Sequence, residues 1–334
     1  MKRRLLGAAV AVGVLVLIGL TLDRAQLADV LARASPLALL AAGAVYLPSW
    51  WLRGLRWKQI ASDLGDEVGL RGAVAAATVG NMLNLVLPAK AGDLLWANAA
   101  HVRWGVPYGR GLVGVLSGRV FDLVVLSLAG LIALRFTPGP AAAWGDSVLL
   151  AVAGSLAGLT AGWLVFLRLR VGGRLLIGPL ARLRGLHDAL VDPAARLTSS
   201  ASRLALHCGS TALIWSIEAL VAWMTARALG VAIPLPAMIF GIMVANLSKI
   251  VPLTPASFGT YEAAGAAALV LAGVDYSAAF AVMLAEHLVK NGVNAILGGA
   301  ALLVEDIPVA QVDLEAVRAA WRETTASETP RKQP

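Results

Sequence analysis

The stretch Pro88-Ala89-Lys90-Ala91-Gly92-Asp93 cuts through an apolar run that extends over 72–100. Proline withholds a backbone donor and glycine tolerates a turn, so a helix stops and restarts here. A second apolar run, 236–273, is cut in the same manner by Pro252-Leu253-Thr254-Pro255-Ala256-Ser257-Phe258-Gly259. Each arm holds about 10–18 residues, whereas a helix needs about 20 to cross a hydrocarbon core. Both regions read as re-entrant helical hairpins, with paired spans as the structural alternative. Pro88, Gly92, Pro252, Pro255 and Gly259 are the helix-breaking positions.

Six uninterrupted apolar runs surround these hairpins, at 5–22, 36–52, 111–134, 147–167, 204–226 and 277–304. The expected fold is therefore an all-α integral membrane protein of about eight hydrophobic segments: six full spans plus two re-entrant hairpins. Composition agrees. Hydrophobic residues make up 58% of the 334 and charged residues only 14%, against roughly 25% charged in soluble domains. The net charge of +8 sets 28 Lys and Arg against 20 Asp and Glu, with the charges at the ends of apolar runs. That placement fits anchoring at anionic lipid head groups rather than nucleic-acid binding. The single cysteine, Cys208, excludes an intrachain disulfide. The first apolar run is longer than a signal core and lacks a small-residue cleavage site, so it reads as a retained helix.

Positive charge sets the expected orientation. With the N-terminus inside and each hairpin returning to its own side, 20 of the 28 Lys and Arg fall in cytoplasmic segments, among them Arg53, Arg56 and Lys58. Both termini are then cytoplasmic in an inner (cytoplasmic) cell membrane. The membrane domain covers 1–304, with an arginine-rich interfacial segment at 168–203, and a polar tail follows at 305–334. Trp50, Trp51, Trp57, Trp96, Trp104 and Trp144 read as an interfacial aromatic belt.

The chain also resembles itself. A shift of 167 lays Pro88 to Gly92 on Pro255 to Gly259, and a shift of 168 lays Tyr108, Leu116, Val125, Gly130 and Leu134 on Tyr276, Leu284, Val293, Gly298 and Leu302. Arg119 then faces His287, and Asp122 faces Lys290. Copies at about 36–135 and 204–304, joined by the helix at 147–167, enter the membrane from opposite sides and form an inverted-topology repeat. Interrupted segments at corresponding places in two halves point to a transport site near the bilayer midplane.

Ionisable residues in apolar runs support that site, since each costs at least about 2.5–3.5 kcal/mol at the bilayer centre unless paired or wetted. The candidate head-group site comprises Lys90, Asp93, Arg119, Asp122, Lys249, Glu262, Glu286, His287 and Lys290. Arg119 with Asp122, and Glu286 with Lys290, have the i,i+3 and i,i+4 spacings of neighbours on one helix face. The restarting helices turn free N–H groups toward the gaps. Asp93 and Glu262 either cap those helices or hold the cationic side chains. No nucleophile, phosphate-loop, dinucleotide or metal-ligand pattern is evident, which implies no enzyme activity, cofactor or metal.

Arg53-Gly54-Leu55-Arg56-Trp57, Asn84 to Asp93, and Pro252-Leu253-Thr254-Pro255 with Gly259 and Glu262 resemble the lysylphosphatidylglycerol synthase transmembrane-region family, also called the flippase-like domain family. The resemblance runs from about Leu5 to Val304. It implies movement of lipids or lipid-linked sugars between leaflets. That family usually has Arg at the position of Lys90, Glu at Asp93, Gly-Gly at Ala256-Ser257 and Arg at His287, departures that bear on the substrate more than on the architecture. The expected function is translocation of an anionic phospholipid or polyprenyl-linked lipid. The alternative is a non-catalytic lipid-binding accessory subunit. Anionic membrane lipids are the expected partners, together with an envelope-biosynthesis enzyme or further copies of the chain.

Overall fold

The structure, a computed structural model, describes residues 24–87, 90–140, 197, 199–249 and 254–305. Regular structure in these residues is helical throughout. The helices are α1 (Arg24–Ala32), α2 (Pro36–Asp63), α3 (Leu70–Val86), α4 (Ala91–Trp104), α5 (Tyr108–Arg135), α6 (Ala201–Ala228), α7 (Leu235–Ser248), α8 (Thr260–Leu271) and α9 (Tyr276–Glu305). The runs at 5–22 and 147–167, nearly all of 168–203, the tail after Glu305, and Pro88 and Pro252 lie outside the described residues.

Three helices, α5, α6 and α9, are long and apolar enough to cross a membrane. At 1.5 Å per residue, α4, α7 and α8 reach only about 18–21 Å, short of a hydrocarbon core of about 30 Å. Helix α2 starts on Ser35, whose hydroxyl accepts from the Ala38 N–H, with Pro36 in the first turn. It does not stop near residue 52 but continues through Arg53 and Arg56 to Asp63. Nothing breaks it there, and buried carboxylates elsewhere receive the two arginines. The short helix α1, not anticipated from sequence, packs on α9 and places Val30 in the core.

The exterior is apolar and the interior holds charge. Leu37, Ile296 and Leu303 are more than two-thirds exposed, while Glu262, Glu286 and His287 are at most 1% exposed. Water would reverse that distribution; lipid does not. The largest core cluster joins α5 to α9 through Phe240, Met243, Leu269, Phe280 and Met283. Helix α2 packs on α6, α3 on α9, and α7 on α5 and α8. The tryptophans correct the belt reading. Trp50 and Trp57 are buried, and Trp57 packs on Trp96 and Trp104 at 5.5 and 6.5 Å, leaving Trp51 exposed. Closely spaced indoles on α2 and α4 fill the interior because the two helices face each other across α3 and α5.

Candidate functional site

Helix α3 ends when Leu87 turns extended, and α4 restarts behind Lys90, whose φ of 54° lies in the left-handed region. Gly92 lets α4 lie against α3, since a Cβ there would sit 2.1 Å from the Gly80 carbonyl oxygen. Asp93, third residue of α4, makes no capping hydrogen bond among the described residues. Its Oδ1 accepts from Asn84 Nδ2 and from Arg119 Nη2, both at 2.8 Å, and its Oδ2 accepts from Arg119 Nε at 3.1 Å. This two-pronged pairing fixes the plane of the guanidinium.

At the second interruption α7 ends at Ser248, and a short 3-10 turn, Pro255–Ser257, leads into α8. Ala256, Ser257 and Gly259 all have positive φ. The Thr254 hydroxyl, donating to the Phe258 carbonyl at 2.8 Å, and the Thr260 hydroxyl, donating to that of Ser257 at 3.0 Å, hold this strained path. Glu262, third residue of α8, does cap: its Oε2 accepts from the Gly259 N–H at 2.6 Å. Its Oε1 lies 2.6 Å from His287 Nδ1. His287 packs between Tyr261 and Phe258, with ring centroids at 4.3 and 5.0 Å.

Asp93 and Glu262 thus occupy the same position of their restarting helices, and each binds a residue of the next long helix, Arg119 of α5 or His287 of α9. Those two partners are the ones that the 168-residue shift aligns. The i,i+4 pair Glu286–Lys290 forms as its spacing suggests. The i,i+3 pair Arg119–Asp122 does not: Asp122 instead accepts from Arg56 Nη1 at 2.7 Å and Trp215 Nε1 at 3.2 Å. Lys290 also donates to Glu218 at 2.7 Å, and Glu218 accepts from Arg53 at 2.5 Å. Tyr261 completes the chain by donating to Glu286 at 2.9 Å.

Tyr46, Arg53 and Arg56 of α2 and Glu218 of α6 lie outside the set of site residues that the sequence predicts, yet all four join this network. Arg53 and Arg56, which the sequence places among cytoplasmic charges, are instead ion-paired between helices, Arg56 buried and Arg53 part-buried. The signal was their i,i+3 spacing on the face that also carries Trp50, Tyr46 and Trp57 (i±3 and i±4 neighbours), which marks a helix continuing inward.

Both interruptions open onto one cavity of about 590 Å³, lined by Lys90 and Asn84 from the first and by Lys249, Thr254 and Ser257 from the second. Its wall carries five cations (Arg53, Lys90, Arg119, Lys249, Lys290) and three carboxylates (Asp93, Asp122, Glu218), an excess of two positive charges. His287 also lines it, whereas Glu262 and Glu286 stand behind the wall. Lys249 Nζ lies 3.8 Å from the Tyr261 ring centroid. A cationic, polar chamber inside an apolar shell suits an anionic head group whose tails remain outside.

An apolar exterior, helices of spanning length and an internal charged cavity define a polytopic helical membrane protein. The model of the lysylphosphatidylglycerol synthase transmembrane region matches residues 4–298, and the chain belongs to that family. It is also 30% identical to Glycosyltransferase AglD of Haloferax volcanii, over 89% of this chain and 53% of that protein. The chain therefore spans about half the length of that relative. The relative's name points to an enzyme and corrects the expectation of a non-enzymatic protein. That expectation rested on missing nucleophile and metal motifs, and a missing motif does not exclude an enzyme.

Proposed function

We propose that this chain binds an anionic lipid head group in the cavity between its two helix interruptions and moves that lipid between leaflets, within lipid or lipid-linked glycan modification. The observation that carries the reading is the single cavity shared by Lys90 and Lys249, one from each interruption, with an excess of positive charge. Family membership and the name of the relative support the lipid and glycan setting. The substrate class is an anionic phospholipid or a polyprenyl-linked lipid.

In this reading the domain at 1–304 has six spans and two re-entrant hairpins, lies in the cell membrane with cytoplasmic termini, and contains an inverted repeat. Support comes from the aligned Asp93–Arg119 and Glu262–His287 pairs. The packing of α3 on α9 and of α7 on α5 adds to it, because the first arm of each interruption rests on the last helix of the other copy. Phosphate is held by Lys90, Lys249 and Arg119, while Asp93 holds Arg119 until lipid competes for it. Asp122, Glu286 and Lys290 keep the surrounding helices in register.

The test is head-group translocation in proteoliposomes. Removing Arg119 and Asp93 together, as Arg119→Gln with Asp93→Asn, avoids leaving a lone charge. Translocation by the double variant should fall at least about tenfold, the equivalent of about 1.4 kcal/mol. An unchanged rate in a folded double variant would sink the reading. The name of the relative favours a second possibility, that the same cavity presents a lipid for glycosyl transfer. Sugar transfer onto polyprenyl phosphate by the purified protein, lost in the same double variant, would establish it.

A further inference from the structure

Resting on the reading of the cavity as a lipid head-group site, we infer that its ligand is a dianionic phosphate, a lipid phosphomonoester or diphosphate, rather than the singly charged phosphodiester of ordinary phospholipids. Three of the five cations on the wall already have carboxylates: Arg119 has Asp93, Arg53 has Glu218, and Lys290 has Glu218 and Glu286. Lys90 and Lys249 have no carboxylate within ion-pair distance among the described residues, and both face the cavity. Two like charges in a part-buried chamber repel, and desolvation adds to that cost.

One negative charge would leave one of the two lysines uncompensated; two negative charges balance both. The lysines also belong to separate interruptions, Lys90 ahead of α4 and Lys249 at the end of α7. A phosphate with two charged oxygens, or two adjacent phosphates, can engage both ammonium groups at once and tie the interruptions together. A lysine is a compact point charge without the fork of arginine, so the pair selects by total charge more than by planar geometry. Thr254, Ser257, Asn246 and Asn291 on the same wall supply neutral hydrogen-bonding groups for the remaining oxygens or an attached sugar.

The experiment uses the full chain in nanodiscs of phosphatidylcholine at about pH 8, where the second proton of a phosphomonoester is off. Phosphatidic acid and phosphatidylglycerol with identical acyl chains are offered together, and the lipid retained is quantified by mass spectrometry. The wild-type chain should favour phosphatidic acid by about tenfold or more. Lys90→Gln and Lys249→Gln should each reduce that preference several-fold, the double variant should abolish it, and Lys90→Arg should retain most of it. Equal retention of the two lipids by the wild-type chain, or an undiminished preference in the double variant, overturns the dianion inference and leaves an anionic lipid site standing. Retention of neither above phosphatidylcholine overturns the head-group site as well.

Discussion

Asp93 and Glu262 are each the third residue of a helix that restarts after an interruption, yet the two carboxylates are used differently. Asp93 makes no capping hydrogen bond among the described residues; both of its oxygens face Arg119, and Asn84 adds a further hydrogen bond. Glu262 directs one oxygen to the Gly259 N–H and the other to His287. Exposure follows the same division, 15% for the Asp93 side chain and 1% for that of Glu262. The first interruption thus keeps a part-exposed ion pair on the cavity wall, the pair for which the proposed lipid would compete. The second uses its carboxylate to cap α8 at the end of a stretch with three positive-φ residues, Ala256, Ser257 and Gly259. Under the proposed function, the first interruption is the responsive element and the second the rigid one.

The largest effects lie one helical turn beyond these pairs, at the aligned residues Asp122 and Lys290. Asp122→Ala leaves Arg56 buried without its carboxylate and should cost about 3–5 kcal/mol, seen as a lower melting temperature and poor recovery in detergent. Adding Arg56→Met should recover much of that loss, because two apolar groups replace two charges. A loss for Asp122→Ala below about 1 kcal/mol would mean that the pair does not hold α2 to α5.

Glycine substitutions sharpen the contrast between the interruptions. Gly92→Ala drives a Cβ to 2.1 Å from the Gly80 oxygen and should cost about 1–3 kcal/mol by forcing α4 off α3. Gly259→Ala meets a backbone penalty instead, with φ at 84°, and should cost about 1–2 kcal/mol. Thermal melts rank the two. The carboxylates come next: Glu262→Ala should destabilise by about 0.5–2 kcal/mol through loss of the cap. Asp93→Ala should cost less in stability, since Arg119 remains 32% exposed to the cavity. Equal melting shifts for these two variants would break the distinction between responsive and rigid interruptions.

The smallest effect serves as a control outside the spanning helices. Asp66, in the connection between α2 and α3, is 9% exposed and lies 3.1 Å from Arg110. Burial pushes its carboxyl above the ordinary 3.8, although Arg110 opposes the shift. The fold therefore favours the protonated form, and the contribution of Asp66 to stability is greatest below 3.8 and is lost as pH rises through the raised folded value. Asp66→Asn removes that dependence. It should raise stability at about pH 7.5 by roughly 0.5 kcal/mol, with the advantage disappearing under acid. Melting curves at the two pH values check it.

Much of the scaffold was legible in the chain. The first interruption shows where α3 ends at an extended Leu87 and a left-handed Lys90 precedes α4, and the one around Pro255 as positive-φ backbone at Ala256, Ser257 and Gly259. The long helices α5, α6 and α9 end within a few residues of the apolar runs that announced them. The extension of α2 beyond residue 52 was not legible, because arginines after an apolar run look alike whether they meet water or a buried acid. Its partners, Asp122 and Glu218, lie 66 and 165 residues away in sequence from Arg56 and Arg53. The indole cluster was missed for the same reason, as an aromatic residue suits an interface and a core equally well.

By itself the sequence determined that this protein is a helical membrane protein with two broken segments and charges inside apolar runs, because segment length, hydropathy and proline placement act locally. Pairing of those charges was decided only by the tertiary structure. Arg119 chose Asp93 of another helix over Asp122 one turn away, and Lys90 and Lys249, 159 positions apart in the chain, came to face one cavity, neither with a carboxylate at ion-pair distance among the described residues. Buried ionic groups take whichever counter-charge the packing brings within reach, and that distance is a property of how helices meet, not of where residues stand along the chain.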